Sequence, residues 1–173
     1  MEKFRCRWCE GNDDLIDYHD HIWGHQRSTD EQLFEALTLE IFQAGLSWAI
    51  VYRKREGFRR AFANYDIETV ARFTATDEMR LKNDVNIVRH EKKIAATIYN
   101  AQQLLHIQQR YGSFQAFLNM LAPAEYVEQL RKLFKHVGPS TAQSFLTACG
   151  YVAPEHEKRC YLYISPKNID NSE

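Results

Sequence analysis

Glu40 is the residue most at odds with its surroundings. It stands in the stretch Thr38-Leu39-Glu40-Ile41-Phe42-Gln43-Ala44-Gly45-Leu46-Ser47-Trp48. Helical spacing puts Leu33, Ala36, Leu37 and Ala44 on one face with Glu40 in its middle. Gln43 falls one turn further on, and Ser47 lies near the same line. An ionised carboxylate on an apolar stripe is costly to bury unless a cation or a hydrogen-bond donor meets it. Such a residue is either a salt-bridged structural glutamate or a carboxylate kept for a ligand, and structural pairs are the commoner case.

A second group is rich in metal-binding chemistry. Cys6 and His19 lie near the start of the chain, and His156 and Cys160 near its end. The latter pair is spaced i, i+4, which places both side chains on one face if Pro154 to Cys160 is helical. Two cysteines and two histidines make a closed tetrahedral zinc site, and this one would fasten the termini together. Cys6-x-x-Cys9 also has ligand spacing, so spacing alone does not choose between His19 and Cys9. A redox role for that pair lacks the βαβ pattern that would support it.

A third region reads as helix, tight hairpin, helix. Pro123 suits the start of a helix over Ala124 to Lys135, and a second runs from Thr141 to Cys149 before Gly150 stops it. Between them, Gly138 offers backbone freedom and Pro139 a first-turn residue. The exposed amides at that N-terminus form a natural phosphate site. The pattern resembles a helix-hairpin-helix, a clamp for the DNA backbone, with His136 where most such hairpins carry a first glycine. Lys135, Gly138, Ser140 and Thr141 are its candidate DNA contacts. The run from Tyr52 to Arg60 carries five positive charges and one negative, and is read as a solvated face before a phosphate-facing patch.

These groups need a scaffold, and the rest of the chain describes one. Its 173 residues, 45% of them hydrophobic, suffice for one domain or two small lobes around a shared core. Strand alternation is almost absent, so the fold class is all-α. Ser28-Thr29-Asp30-Glu31 has the form of a capping box opening helical patterning that runs to about Lys54. Short helices follow at Ile67-Phe73 and Asp77-Lys82. A long one spans about Arg89 to Tyr111, with Ile94, Ile98, Ala101, Leu104 and Leu105 on one face, and Gly112-Ser113 separates it from Phe114-Leu121. A net charge of −1 gives nucleic-acid binding no global support, so any contact must come from a local patch. No run approaches the ~18 apolar residues of a membrane span. The N-terminus lacks the apolar core of a signal peptide, so a cytoplasmic protein is expected. In that compartment the four cysteines, Cys6, Cys9, Cys149 and Cys160, are thiols or metal ligands before they are disulfides.

Taken in order, several segments carry a family resemblance. They are Arg-Cys-x-Trp at 5–8, Asp-Tyr-His-Asp-x-x-Trp-Gly at 17–24, Leu-Glu-x-x-Gln-Ala-Gly-Leu-Ser-Trp at 39–48 and Lys-Arg-Glu at 54–56. Further on come Ile-Val-Arg-His-x-x-Lys-Ile at 87–94, Asn-Ala at 100–101, Phe-Lys-x-Val-Gly-Pro at 134–139, Ser-Phe-x-x-Ala-Cys-Gly at 144–150 and His-x-x-x-Cys at 156–160. The chain resembles the bacterial 3-methyladenine DNA glycosylase I family, within the helix-hairpin-helix glycosylase superfamily, over nearly its whole length.

The resemblance implies a single glycosylase domain over 1–173 with two helical lobes, a hairpin motif at about 124–150, and zinc-binding termini at 1–27 and 151–173. It implies one structural zinc on Cys6, His19, His156 and Cys160, leaving Cys9 as an extra thiol. It assigns base recognition to Glu40 and the pocket aromatics to Trp8, Tyr18, Trp23 and Trp48. The implied partner is double-stranded DNA containing alkylated adenine, acted on by a monomer with no membrane and no obligate protein partner. An N3-methylated adenine is cationic, so aromatic faces and a carboxylate suit it once flipped out. The sugar-supporting aspartate of most hairpin glycosylases has no counterpart near this hairpin, since the only later aspartate is Asp170. With no lysine nucleophile in the matching segments, a monofunctional hydrolase is expected. Gln43-Ala44-Gly45-Leu46 is either a wedge that fills the opened duplex or a kink in one helix. Two departures stand out. Ile41 and Phe42 replace the small or polar residues usual after the glutamate, and either narrow the pocket or pack behind it. The region between Phe117 and Tyr126 is also shorter than in the family.

Overall fold

The computed structural model describes residues 3–165; Asp170 and the rest of the tail lie outside them. Ten α-helices occur among the described residues, with three single 3₁₀ turns and no strand: α1 Asp13–His21, α2 Asp30–Gln43, α3 Trp48–Arg53, α4 Arg55–Ala61, α5 Ile67–Ala71, α6 Ala75–Lys82, α7 Glu91–Tyr111, α8 Phe114–Met120, α9 Tyr126–Leu133 and α10 Pro139–Ala148. None of them is long and apolar enough to cross a membrane.

Helix α7 is the spine. Its apolar face buries Ile94, Ile98, Ala101 and Leu104 against α2, α5, α6 and α8, the periodicity expected of it. Helix α2 crosses the same core and meets α3, α8 and α10. Its start differs from the capping box read in the sequence: Thr29 is the N-cap, accepting from the Gln32 amide, while Ser28 donates to the Gln32 side chain. The reciprocal box is not formed: the Gln32 side chain accepts from the Ser28 amide and hydroxyl rather than from the N-cap amide of Thr29.

Helical patterning does not run unbroken to Lys54. The chain turns between α2 and α3 at Ala44 (φ −55°, ψ 117°) and Gly45 (φ 83°), closed by the Leu46 amide donating to Gln43 O at 2.7 Å. Those angles describe a type II turn, whose third residue must have positive φ and is therefore glycine. Of the face drawn through α2, Leu33 and Leu37 are fully buried, but Ala44 lies in the turn and is exposed. Ile41 and Phe42 are buried in the core, Phe42 against Phe58, and neither lines the cleft that holds Glu40. They pack behind the pocket rather than narrow it.

Helices α9 and α10 flank a connection over Phe134–Gly138. The backbone freedom assigned to Gly138 is not used: its φ is −86°, and a side chain there would meet open space. The left-handed residue is His136, at φ 58°. Asn100 of α7 holds this connection from below, accepting from the Lys135 amide (2.8 Å) and donating to the Lys135 carbonyl (3.1 Å). Residues 154–160 form no helix, so His156 and Cys160 do not meet through helical spacing.

Candidate functional site

A cleft of about 500 Å³ opens where the N-terminal segment, α1, the α2–α3 turn and α10 converge. Glu40 stands in it from the last turn of α2, with Gln43 beside it; Ser47 also lines the cleft, but from beyond the turn at the start of α3 rather than through the helical spacing expected of it. Glu40 is 7% exposed. Among the described residues nothing donates to its carboxylate, and burial pushes its pKa up to about 7. The salt-bridged alternative is therefore not what the structure holds. Glu35 and Arg59 pair with each other nearby (2.9 Å), lining with Glu40 a smaller cavity of about 210 Å³ behind the cleft.

Aromatic rings make the remaining walls. Tyr18 of α1 lies 5.2 Å from Trp48 and 6.2 Å from Trp8, centroid to centroid, and Trp8 lies 5.4 Å from Trp23. All four line the cleft with Glu40. Burial, with Glu40 beside it, holds the Tyr18 phenol well above its ordinary pKa, so it is a neutral donor. The Trp48 indole N–H is buried with no partner. Across from Glu40 stand Gln143, Ser144 and Thr147 of α10, and below it Leu15 and Ala49, which the sequence did not single out. Their signal is helical: Gln143, Ser144 and Thr147 lie opposite the buried Ala142, Phe145 and Leu146.

Behind the aromatic wall the four expected ligands converge. Cys160 Sγ lies 3.5 Å from His19 Nε2 and 3.5 Å from His156 Nδ1, and Cys6 Sγ lies 3.6 Å from His156 Nδ1. All four donor atoms fall within 4.8 Å of one another, close enough to share a metal ion. His19 donates from Nδ1 to Asp20 (2.8 Å), which Arg5 grips through two nitrogens. The Arg5 guanidinium holds the Asp20 carboxyl below the usual carboxylate range. Such an outer carboxylate fixes the ring and frees Nε2 as the ligand. Cys9 stays out of the set: fully buried, it packs with Leu15, Tyr18 and Tyr52, its thiol donating to the Cys6 carbonyl.

The DNA candidates fall on the α2–α3 turn and on the α9–α10 connection with the first turn of α10, and Gln43 among them lines the cleft. Leu46 caps the type II turn and is 39% exposed. With Gly45 it edges a concavity of about 850 Å³ lined by Lys82, Arg89, His90 and Lys93. His90 meets His136 of the hairpin at 6.2 Å, and burial together with His90, Lys93 and Lys92 lowers the His136 pKa. Lys135, Gly138 and Ser140 are exposed, and Thr141 half so. Helix α10 starts at Gly138 without a side-chain cap, leaving its first amides to solvent. The Lys135 ammonium sits 4.0 Å over the Tyr99 ring. The basic run at 52–60 is largely paired instead: Arg55 with Asp14, Arg59 with Glu35 and Glu56, and Lys54 with the Val85 carbonyl.

Comparison with known proteins converges on this cleft's family. The methyladenine glycosylase family model matches residues 8–133. The chain belongs to the methyladenine glycosylase family. It is 34% identical to DNA-3-methyladenine glycosylase 1 of Escherichia coli K12 over 92% of this chain and 96% of that protein. A crystal structure of 3-methyladenine DNA glycosylase I superposes with a TM-score of 0.84 at 33% identity, covering 93% of this chain and all of the other. A tyrosine-to-phenylalanine variant of 3-methyladenine DNA glycosylase I, solved in complex with 3-methyladenine, superposes with a TM-score of 0.82 at 33% identity over 93% of this chain and 98% of its own.

Proposed function

We propose that the protein is a monofunctional DNA glycosylase that flips N3-methyladenine out of alkylated duplex DNA and hydrolyses its glycosidic bond. One observation carries this: a buried carboxylate, Glu40, without a protein partner, facing an aromatic cleft. The family's relatives, one solved with 3-methyladenine bound, support the choice of base.

N3-methylation leaves the base cationic. Between the rings of Trp8 and Trp48 that cation is favoured by the aromatic faces, and Glu40 accepts from its exocyclic amine. Tyr18 donates to another edge. The C1′–N9 bond then breaks with its electron pair passing to the base, which leaves neutral; water adds to the sugar cation at C1′ and loses a proton. Neutral adenine brings no charge to offset the desolvated carboxylate, so the same residue discriminates against undamaged base. No lysine lines the cleft, which fits hydrolysis rather than a Schiff-base lyase.

Cys6, His19, His156 and Cys160 would hold one structural zinc per chain. Ordinary tetrahedral Zn–S and Zn–N bonds separate sulfur from nitrogen by about 3.6 Å, and the three close pairs here lie at 3.5 to 3.6 Å. The Glu157 amide donates to Cys6 Sγ, as suits a thiolate. The turn Gln43–Leu46 is the wedge, with Leu46 its tip. The α9–α10 connection is the DNA-backbone clamp, through Lys135, Gly138, Ser140 and Thr141. The chain works as one glycosylase unit of two helical lobes, a cytoplasmic monomer acting on genomic DNA.

Incubation with methylated duplex DNA, followed by chromatography of released bases, tests this. Release of 3-methyladenine above the spontaneous rate is expected, and its absence overturns the proposal. Glu40→Gln is expected to slow release about tenfold to a hundredfold, the worth of one hydrogen bond to a charged group, with the fold intact.

A further inference from the structure

Lys93 is the only lysine or arginine among the described residues that is almost wholly buried, at 8% exposed. No carboxylate pairs with it there. Its ammonium reaches from α7 to the end of α2, donating to the carbonyls of Phe42 (3.3 Å) and Ala44 (2.7 Å). A cation suits that position, because the last carbonyls of a helix lack partners and carry its negative dipole end. Burying an ammonium is nonetheless expensive, and a neutral donor could serve a mere helix end.

The identity of the second carbonyl matters more. Ala44 O belongs to the middle peptide of the Gln43–Leu46 turn. Type I and type II turns share their end bond and differ by a flip of that peptide. Gly45, at φ 83°, permits the type II form but does not enforce it, since glycine occupies negative φ as readily. Among the described residues, the Lys93 bond is what fixes which way the Ala44 carbonyl points.

We propose that Lys93 is a positioning residue for base extrusion: gripping the middle peptide of the turn, it holds Leu46 at the height where it enters the duplex. This rests on the glycosylase reading and on the turn being the wedge. Lys93 lines the basic concavity beside the turn, not the base cleft, so its loss should separate opening of DNA from recognition of the base.

The test compares single-turnover excision from methylated duplex with binding of free 3-methyladenine, read by tryptophan fluorescence, in Lys93→Met, Gly45→Ala and the double variant. Lys93→Met is expected to excise about tenfold to a hundredfold more slowly, the scale of a misplaced positioning group, with unchanged affinity for the free base. Gly45→Ala, strained at positive φ, should reproduce that pattern. The double variant should lose no more than the worse single one, because both act through one turn. A parallel loss of free-base affinity overturns the role, as does a wild-type duplex rate in Lys93→Met or losses that add in the double variant. If Lys93→Met does not fold, Lys93→Gln, which keeps a neutral donor, is read by the same outcomes. A wild-type protein that releases no 3-methyladenine overturns the glycosylase reading, and this role with it; a wild type that excises alongside an equally active Lys93→Met overturns this role alone.

Discussion

At Glu40, stability and activity pull in opposite directions. Burial raises its pKa from 4.5 to about 7, a differential of roughly 3 kcal/mol between protonation states. A carboxyl with a raised folded-state pKa contributes stability that is fully present below about 4.5 and lost as pH rises through about 7. The form that meets a cationic base is the ionised one, which is the form the fold disfavours. Excision is therefore expected to climb as pH rises through about 7, and Glu40→Gln to flatten that climb. The same variant should resemble wild type in urea unfolding below about pH 4.5, gain on it as pH rises from there to about 7, and keep a constant margin above that. An excision rate that falls across this window would remove ionised Glu40 from the mechanism. Trp48 stands beside Glu40 in the cleft with a buried indole N–H that has no partner among the described residues, a donor free to meet a ligand.

At the scale of elements, helix faces are legible because burial repeats every 3.6 residues. The buried positions of α7 fall where periodicity puts them, and the positive φ of Gly45 and Gly112 marks real helix ends. What separates α2 from α3, and where α9 starts, is less legible, because a type II turn and the 3₁₀ turn at Pro123–Glu125 each interrupt an otherwise continuous apolar pattern. His156 and Cys160 do come together, at 3.5 Å, but not by the geometry expected of them: the i, i+4 spacing is real, and the segment is not helical. Least legible are polar groups that hold elements across long sequence gaps, since their chemistry is ordinary until the partner is seen. Asp30 is one. It opens α2, yet accepts from Gln108 (2.8 Å) and from the amides of Phe114 (2.9 Å) and Gln115 (3.2 Å), tying α2 to the start of α8. Its charge faces the positive ends of two helices at once. Asp30→Ala leaves the buried Phe114 amide without a partner and should cost about 2–3 kcal/mol in denaturant unfolding, with the free-base affinity of the folded protein unchanged.

Over the whole molecule, two separate braces hold the two halves of the task. The terminal Cys/His cluster, the proposed zinc site, adjoins the aromatic cleft: His156 meets Trp23 at 5.1 Å and His19 meets Trp8 at 5.4 Å, so its histidines back the aromatic wall. Removing the ion should loosen that wall. Cys160→Ser is expected to lose its equivalent of zinc by metal analysis, to melt earlier, and to bind free 3-methyladenine more weakly; full zinc content in that variant would refute the ligand set. Helix α7 braces the proposed DNA contacts instead. Lys93 grips the α2–α3 turn, and Asn100, fully buried and two helical turns further along, grips both backbone groups of Lys135 in the hairpin. Seven residues of helix set these grips about 10 Å apart, so α7 fixes the spacing between the α2–α3 turn and the α9–α10 connection, the proposed wedge and clamp. Asn100→Ala leaves one buried amide and one carbonyl unpaired and should lower stability by about 1–3 kcal/mol. It should also weaken binding to undamaged duplex while the free base binds as before. Loss of the metal and loss of Asn100 then produce opposite signatures, base affinity failing in one and duplex affinity in the other. If Asn100→Ala instead weakened both equally, the division of labour between the termini and α7 would be wrong.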